Sequence, residues 1–151
     1  MNGQTAYLDS SAIVKRYIEE AGTDKVRELY VKTYAGDVKL AFSTWNIGEV
    51  LGVLDRAKYL NRISEEDYNT ARRFFLSETR RLSRLGLAIL IPVKSIILTH
   101  SWRILEKHHI YQADALQIAS AKYIHAAQFL AADKRLHEAA SNEGLNSIFI
   151  S

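Results

Sequence analysis

Twice in this chain a short apolar run leads directly into an aspartate and then into a helix-forming segment. Ala6-Tyr7-Leu8-Asp9-Ser10-Ser11 does so at the start, and Phe129-Leu130-Ala131-Ala132-Asp133 near the end. Runs of this length, flanked as these are, suit buried strands. An open parallel sheet presents the residues that follow its strands along one carboxyl edge, where such folds bind ligands. The pattern therefore predicts two acids, Asp9 and Asp133, on one edge of one sheet. A third, Asp114, stands at the mouth of the nearly all-apolar helical pattern that opens at Gln112.

Between these points strands alternate with helices. Thr5 to Leu8, Val38 to Phe42, Leu87 to Ile91, the run before Asp133, and Ser147 to Ile150 read as strands. Helical spacing fills the intervals: Ser11 to Glu19, a segment opened by Gly22-Thr23, one from Ser43 or Thr44 through Lys58, and a long one opened by Ser64. Further helices start at Ser95, near Asp114 and at Lys134. In the long helix Tyr68, Ala71, Phe75, Leu82 and Leu85 are expected on one face; in the next, Leu98, Trp102 and Leu105. Alternation of this kind implies right-handed crossovers and a mostly parallel sheet covered on both faces. The expected architecture is α/β, with residues 1–151 as a single domain, since no linker, repeat or low-complexity stretch divides them.

No apolar run approaches the roughly 20 residues of a membrane span, and the first residues do not read as a signal peptide. The absence of cysteine excludes thiolate chemistry and suits a reducing cytoplasm. The net charge of +3 permits a polyanionic partner without requiring one. Glycine-rich phosphate loops, a nucleophile elbow and zinc-type histidine spacing are all missing, which removes support for dinucleotide, P-loop, serine esterase and zinc hydrolase chemistry.

Glu49 is the fourth acid of interest, because it lies inside the apolar helix Trp45 to Leu54, between Gly48 and Gly52. Each aspartate alone is adequately explained as a helix cap, and Glu49 alone as an exposed helical acid. Gathered at one edge, the four would repel and raise one another's pKa unless a cation joined them. Carboxylate oxygens without histidine or cysteine favour a hard ion, Mg²⁺ or Mn²⁺, which typically works on phosphate.

The segments YLDSSAIVKRYIEE, STWNIGEVLGVLDRA, ADALQIASA and FLAADKRL resemble, in order, the motifs of the PIN-domain ribonucleases. The size and the SSAIVKRYIEE wording are similar to the VapC-type toxins of toxin–antitoxin pairs. The resemblance implies a three-layer α/β/α sandwich, a Mg²⁺ or Mn²⁺ site, and endonucleolytic cleavage of an RNA substrate. It implies Asp9 and Asp114 as principal metal ligands, with Glu49 and Asp133 completing the set and Ser11 hydrogen-bonding a carboxylate or water. It also implies a small antitoxin whose tail enters the acidic groove with an arginine. Two positions depart from the pattern: Ala131 where Thr or Ser is usual, and Gln117 where His is frequent.

Lys15, Arg16, Lys134 and Arg135 follow two of the acids and are expected either to steer RNA phosphates or to form a solvated basic face. Phe74 and Phe75 read as core or as a homodimer surface, because the chain has more apolar helix than one small sheet needs. The competing reading is a PIN-like module that binds RNA or a protein without cutting.

Overall fold

The period-two alternation of the strands sorts their side chains onto two faces, and each face becomes the floor of a separate core. Ala6, Leu8, Leu40, Phe42 and Leu130 point to one side; Tyr7, Ala41, Phe129 and Ala131 point to the other. The computed structural model describes residues 4–151. In chain order its elements are β1 (Gln4–Leu8), α1 (Ser10–Tyr17), α2 (Thr23–Tyr34), β2 (Val38–Ser43), α3 (Trp45–Tyr59), α4 (Glu65–Arg84), β3 (Ala88–Ile91), α5 (Ser95–His108), α6 (Gln112–Tyr123), β4 (Gln128–Ala131), α7 (Lys134–Asn142) and β5 (Ser147–Phe149). The sheet is parallel throughout, in the order β3-β2-β1-β4-β5. Helices α1 to α4 cover the first face and α5 to α7 the second, which gives the three-layer α/β/α sandwich expected from sequence. No helix among the described residues is long and apolar enough to cross a membrane.

This strand order places the site. From β1 the chain winds outward to β2 and β3, then returns to the other side of β1 for β4 and β5. The crevice between β1 and β4 is the topological switch point, open at the carboxyl ends. Asp9 follows β1 and Asp133 follows β4 by one residue, so the two flank that crevice. An amide from Asp9 to the Leu130 carbonyl, 3.1 Å, closes the ladder just below.

Local chemistry explains the boundaries. Ser64 Oγ accepts from the Asp67 amide at 3.0 Å and starts α4, with Glu65, Glu66 and Asp67 in the first turn where the dipole favours acids. Gly22, at φ +90°, begins α2, and a Cβ there would stand only 2.6 Å from Ile150 Cγ2, so a side chain is excluded.

Two expectations about faces need correction. Leu85 is 60% exposed rather than on the buried side of α4, because it is the C-cap residue, beyond Leu82, the last buried residue of the helix. Trp102 is 52% exposed, and α5 instead buries Ile97, Ser101 and Ile104; the packed stripe is rotated by one residue. Phe75 is wholly in the core, as its place on the packed face of α4 predicts. Phe74 remains partly exposed, its ring edge-on to Tyr17 at 5.2 Å.

Candidate functional site

Each of the four acids arrives on a different element. Asp9 caps α1: its Oδ1 accepts from the Ala12 amide at 3.0 Å. Ser11 Oγ, 2.7 and 2.8 Å from the two Asp9 oxygens, donates its single proton across them. The same Oγ accepts from the Ala132 amide at 3.0 Å, so Ser11 ties the β1–α1 turn to the β4–α7 turn. A backbone amide thus fastens the turn beside Ala131, where a hydroxyl is absent. Asp133 caps α7, accepting from the Leu136 amide at 3.2 Å.

Asp114 does not cap its helix. Tyr111 holds that position, and Asp114 lies in the first turn of α6, where the unpaired amides and dipole favour an anion. Helix α6 is buried continuously from Ala115 to Ala121, as expected of a helix apolar on nearly every side. Only its first turn emerges at the carboxyl edge. Glu49 is half-buried on α3, one turn beyond Asn46, and accepts from Ser10 Oγ at 2.6 Å. Asn46 Nδ2 donates to the Leu8 carbonyl at 3.1 Å and moors α3 against the end of β1.

These arrangements bring Asp9, Glu49, Asp114 and Asp133 to the wall of one cleft of about 390 Å³. Burial pushes the Asp9 carboxyl up to about 7, with Asp114 and Asp133 adding repulsion and the Ser11 and Ala12 hydrogen bonds opposing it. Burial also raises Asp114, as do the charges of Asp133 and Glu49, against the pull of Arg135. The four carboxylates therefore feel one another. As the side chains are turned, no three such groups among the described residues stand close enough to grip an ion together; three of the four point an oxygen at a local hydroxyl or amide donor instead.

The basic residues divide. Lys15 is buried, with Nζ on the Ala21 carbonyl and 3.1 Å from Glu20. Arg16 clamps Glu78 with Nε and Nη2, both at 2.9 Å. Both are consumed by the fold, so the expectation that they meet phosphate is not met. Lys134 and Arg135 stay exposed at the start of α7, Arg135 reaching the His109 carbonyl at 2.8 Å. Arg56 was missed by the sequence reading, yet it lines the cleft with Gly52 and Val53. Its signal was present: Arg56 stands two turns after Glu49 on the same helix face.

A search of the curated proteins finds no match. The family described as PIN domain matches residues 6–142. Several solved structures are similar in fold. One is Mycobacterium tuberculosis VapC20, described as a sarcin-ricin loop cleaving toxin, at 17% identity and TM-score 0.63 over 93% of this chain and 95% of that chain. FitAcB from Neisseria gonorrhoeae is 16% identical, TM-score 0.62, covering 95% and 96%. VapBC2 from Rickettsia felis, bound to a DNA fragment from its promoter, is 12% identical, TM-score 0.63, covering 97% and 99%.

Proposed function

The chain belongs to the PIN domain family, and from that premise we propose that it is a divalent-metal-dependent endoribonuclease, the toxin half of a toxin–antitoxin pair. One observation carries the reading: acids from four separated elements line a single cleft at the switch point of the sheet. The donor set fits a hard cation, being all carboxylate oxygen, with Asp9 and Asp114 raised by burial and mutual repulsion. Asp9, Asp114, Glu49 and Asp133 would hold it, with Asp9, Glu49 and Asp133 turning from their present hydroxyl and amide donors. When bound, Mg²⁺ or Mn²⁺ supplies charge neutralisation at the scissile phosphate and activation of the attacking water.

The chain's own residues do the rest. Ser11 fixes the rotamer of Asp9 and locks the two edge turns together. Arg56, on the cleft wall, offers a planar guanidinium to a phosphate flanking the cleaved one. At Gly52 a Cβ would meet nothing within 4 Å, so this wall is low and leaves room for a polynucleotide backbone. Of the residues lining the cleft, Ser10 and Ser11 alone carry a hydroxyl, and each donates to a cleft carboxylate; the attack is assigned to water, without a covalent intermediate.

The toxin assignment is supported by the likeness in fold to VapC20, FitAcB and VapBC2. The antitoxin partner is a small protein whose arginine enters the acidic cleft. A homodimer and a cytoplasmic setting complete the proposal. RNA cleavage with and without Mg²⁺, run on the wild type, Asp9→Asn and Asp114→Asn, is the test. Full activity in either variant refutes the assignment, and RNA retention that survives metal removal with no new 5′ ends would favour a binding module.

A further inference from the structure

Beneath the cleft lies a buried polar cluster that the proposed chemistry leaves unused. The Tyr7 hydroxyl donates to Gln117 Oε1 at 2.7 Å, and both side chains are buried. Asn46 is wholly buried; Nδ2 is spent on the Leu8 carbonyl while Oδ1 has no partner. Ser120 Oγ, also buried, has none either. The Tyr7 hydroxyl has one proton and gives it to Gln117.

The members are placed with a regularity that a core network does not need. Tyr7 precedes Asp9 by two residues on the same side of β1. Asn46 stands one turn before Glu49 on α3, and Gln117 one turn after Asp114 on α6. Three elements that carry cleft acids thus each contribute to the cluster, α6 with both Gln117 and Ser120, and Gln117 itself reaches the cleft wall.

Stability alone does not account for it. Each buried acceptor left unpaired costs about 1–3 kcal/mol, and apolar side chains would avoid that cost. The Tyr7 ring is already held by stacking on Phe129, with centroids 5.5 Å apart and planes 2° from parallel. Its hydroxyl adds only the polar link.

Resting on the cation site proposed above, we propose that Tyr7 is a positioning residue that sets the spacing of the carboxylates. Its hydroxyl holds Gln117, and with it the first turn of α6, while Asn46 holds α3 against β1. Small divalent ions tolerate little error in ligand placement, whereas Ca²⁺ accepts wide variation. The cluster therefore makes the cleft selective for Mg²⁺ and Mn²⁺ over Ca²⁺.

The experiment is calorimetric titration of Mn²⁺ and Ca²⁺ into full-length wild type, Tyr7→Phe, Gln117→Leu, the double variant and Asp9→Asn, with thermal unfolding of each cation-free protein. Tyr7→Phe is expected to weaken Mn²⁺ binding about tenfold, the low end of what partners of metal ligands contribute. Ca²⁺ binding should change far less and the melting temperature little. Gln117→Leu should match it, and the double variant should be no worse than either single change. Wild-type Mn²⁺ affinity in Tyr7→Phe, with binding lost in Asp9→Asn, would overturn the positioning role alone. So would a loss that merely tracks the folded fraction, or losses that multiply in the double variant. Unaltered binding in Asp9→Asn, or no uptake by the wild type, would overturn the cation site itself.

Discussion

The side chains of Asp9 and Glu143 are both nearly hidden from solvent, and the protein treats them in opposite ways. Around Glu143 stand His108 at 2.6 Å, Lys122 at 3.0 Å, Lys107 at 3.2 Å and Arg103 at 3.5 Å. Burial opposes ionisation there, but His108, Lys122 and Lys107 together bring the carboxyl down to about 2. Glu78 is served likewise by Arg16, Tyr17 and Tyr34, at 2.7–2.9 Å, and is lowered despite its burial. Asp9 receives a hydroxyl and an amide, with further acids for neighbours. A fold able to neutralise buried carboxylates at two places leaves them in repulsion at a third. The difference separates carboxylates that hold the fold together from carboxylates left in mutual repulsion, which is what the proposed cation site asks of them.

The largest expected effect is on catalysis. Asp114→Asn should lower RNA cleavage by roughly 10³-fold, the several kcal/mol a metal supplies to the transition state, while chemical denaturation of the cation-free protein shows no loss of stability. The second effect concerns pH. The folded-state carboxyl of Asp9 is raised from 3.8 to about 7, so between those values the folded protein keeps a proton that the unfolded chain has released. Its contribution to stability is present in acid and declines as pH rises through that window, by up to ~4 kcal/mol. Urea melts of the cation-free protein should show the decline, and Asp9→Asn should abolish it.

Glu78→Gln comes next and should cost about 3 kcal/mol, because Arg16 loses its partner in a largely dehydrated place; specific activity of the folded fraction should hold. Glu143→Gln is the mildest. Wild-type Glu143 contributes stability above about pH 4.5 that is lost as pH falls toward 2. With Lys107 and Arg103 more than half exposed, screening leaves ~1–2 kcal/mol. The variant should flatten acid unfolding in that range. A reversed order between the Glu78 and Asp114 variants, stability lost in the cleft and activity lost at Glu78, would break the distinction.

Strand positions and the edge placement of Asp9 and Asp133 were legible in sequence because both follow from local periodicity and the rules of parallel sheets. Glu49 and Asp114 were legible as unusual charges in apolar helices. Arg56 apart, whose signal was local, the main contacts that escaped notice join residues distant along the chain. Arg16 meets Glu78 across 62 positions, and Tyr7 meets Gln117 across 110; no spacing rule reaches that far. The α5 face was misread at Trp102 because apolar residues occur on several sides of that helix, so the pattern fixes its period better than its phase.

The most direct measurement is anomalous scattering from crystals grown with Mn²⁺. A single strong peak, or a close pair, among the oxygens of Asp9 and Asp114, lost in the Asp9→Asn crystal, is the result expected. A clean map at that cleft at saturating Mn²⁺, with Asp9, Glu49 and Asp133 still tied to their local donors, would contradict the account.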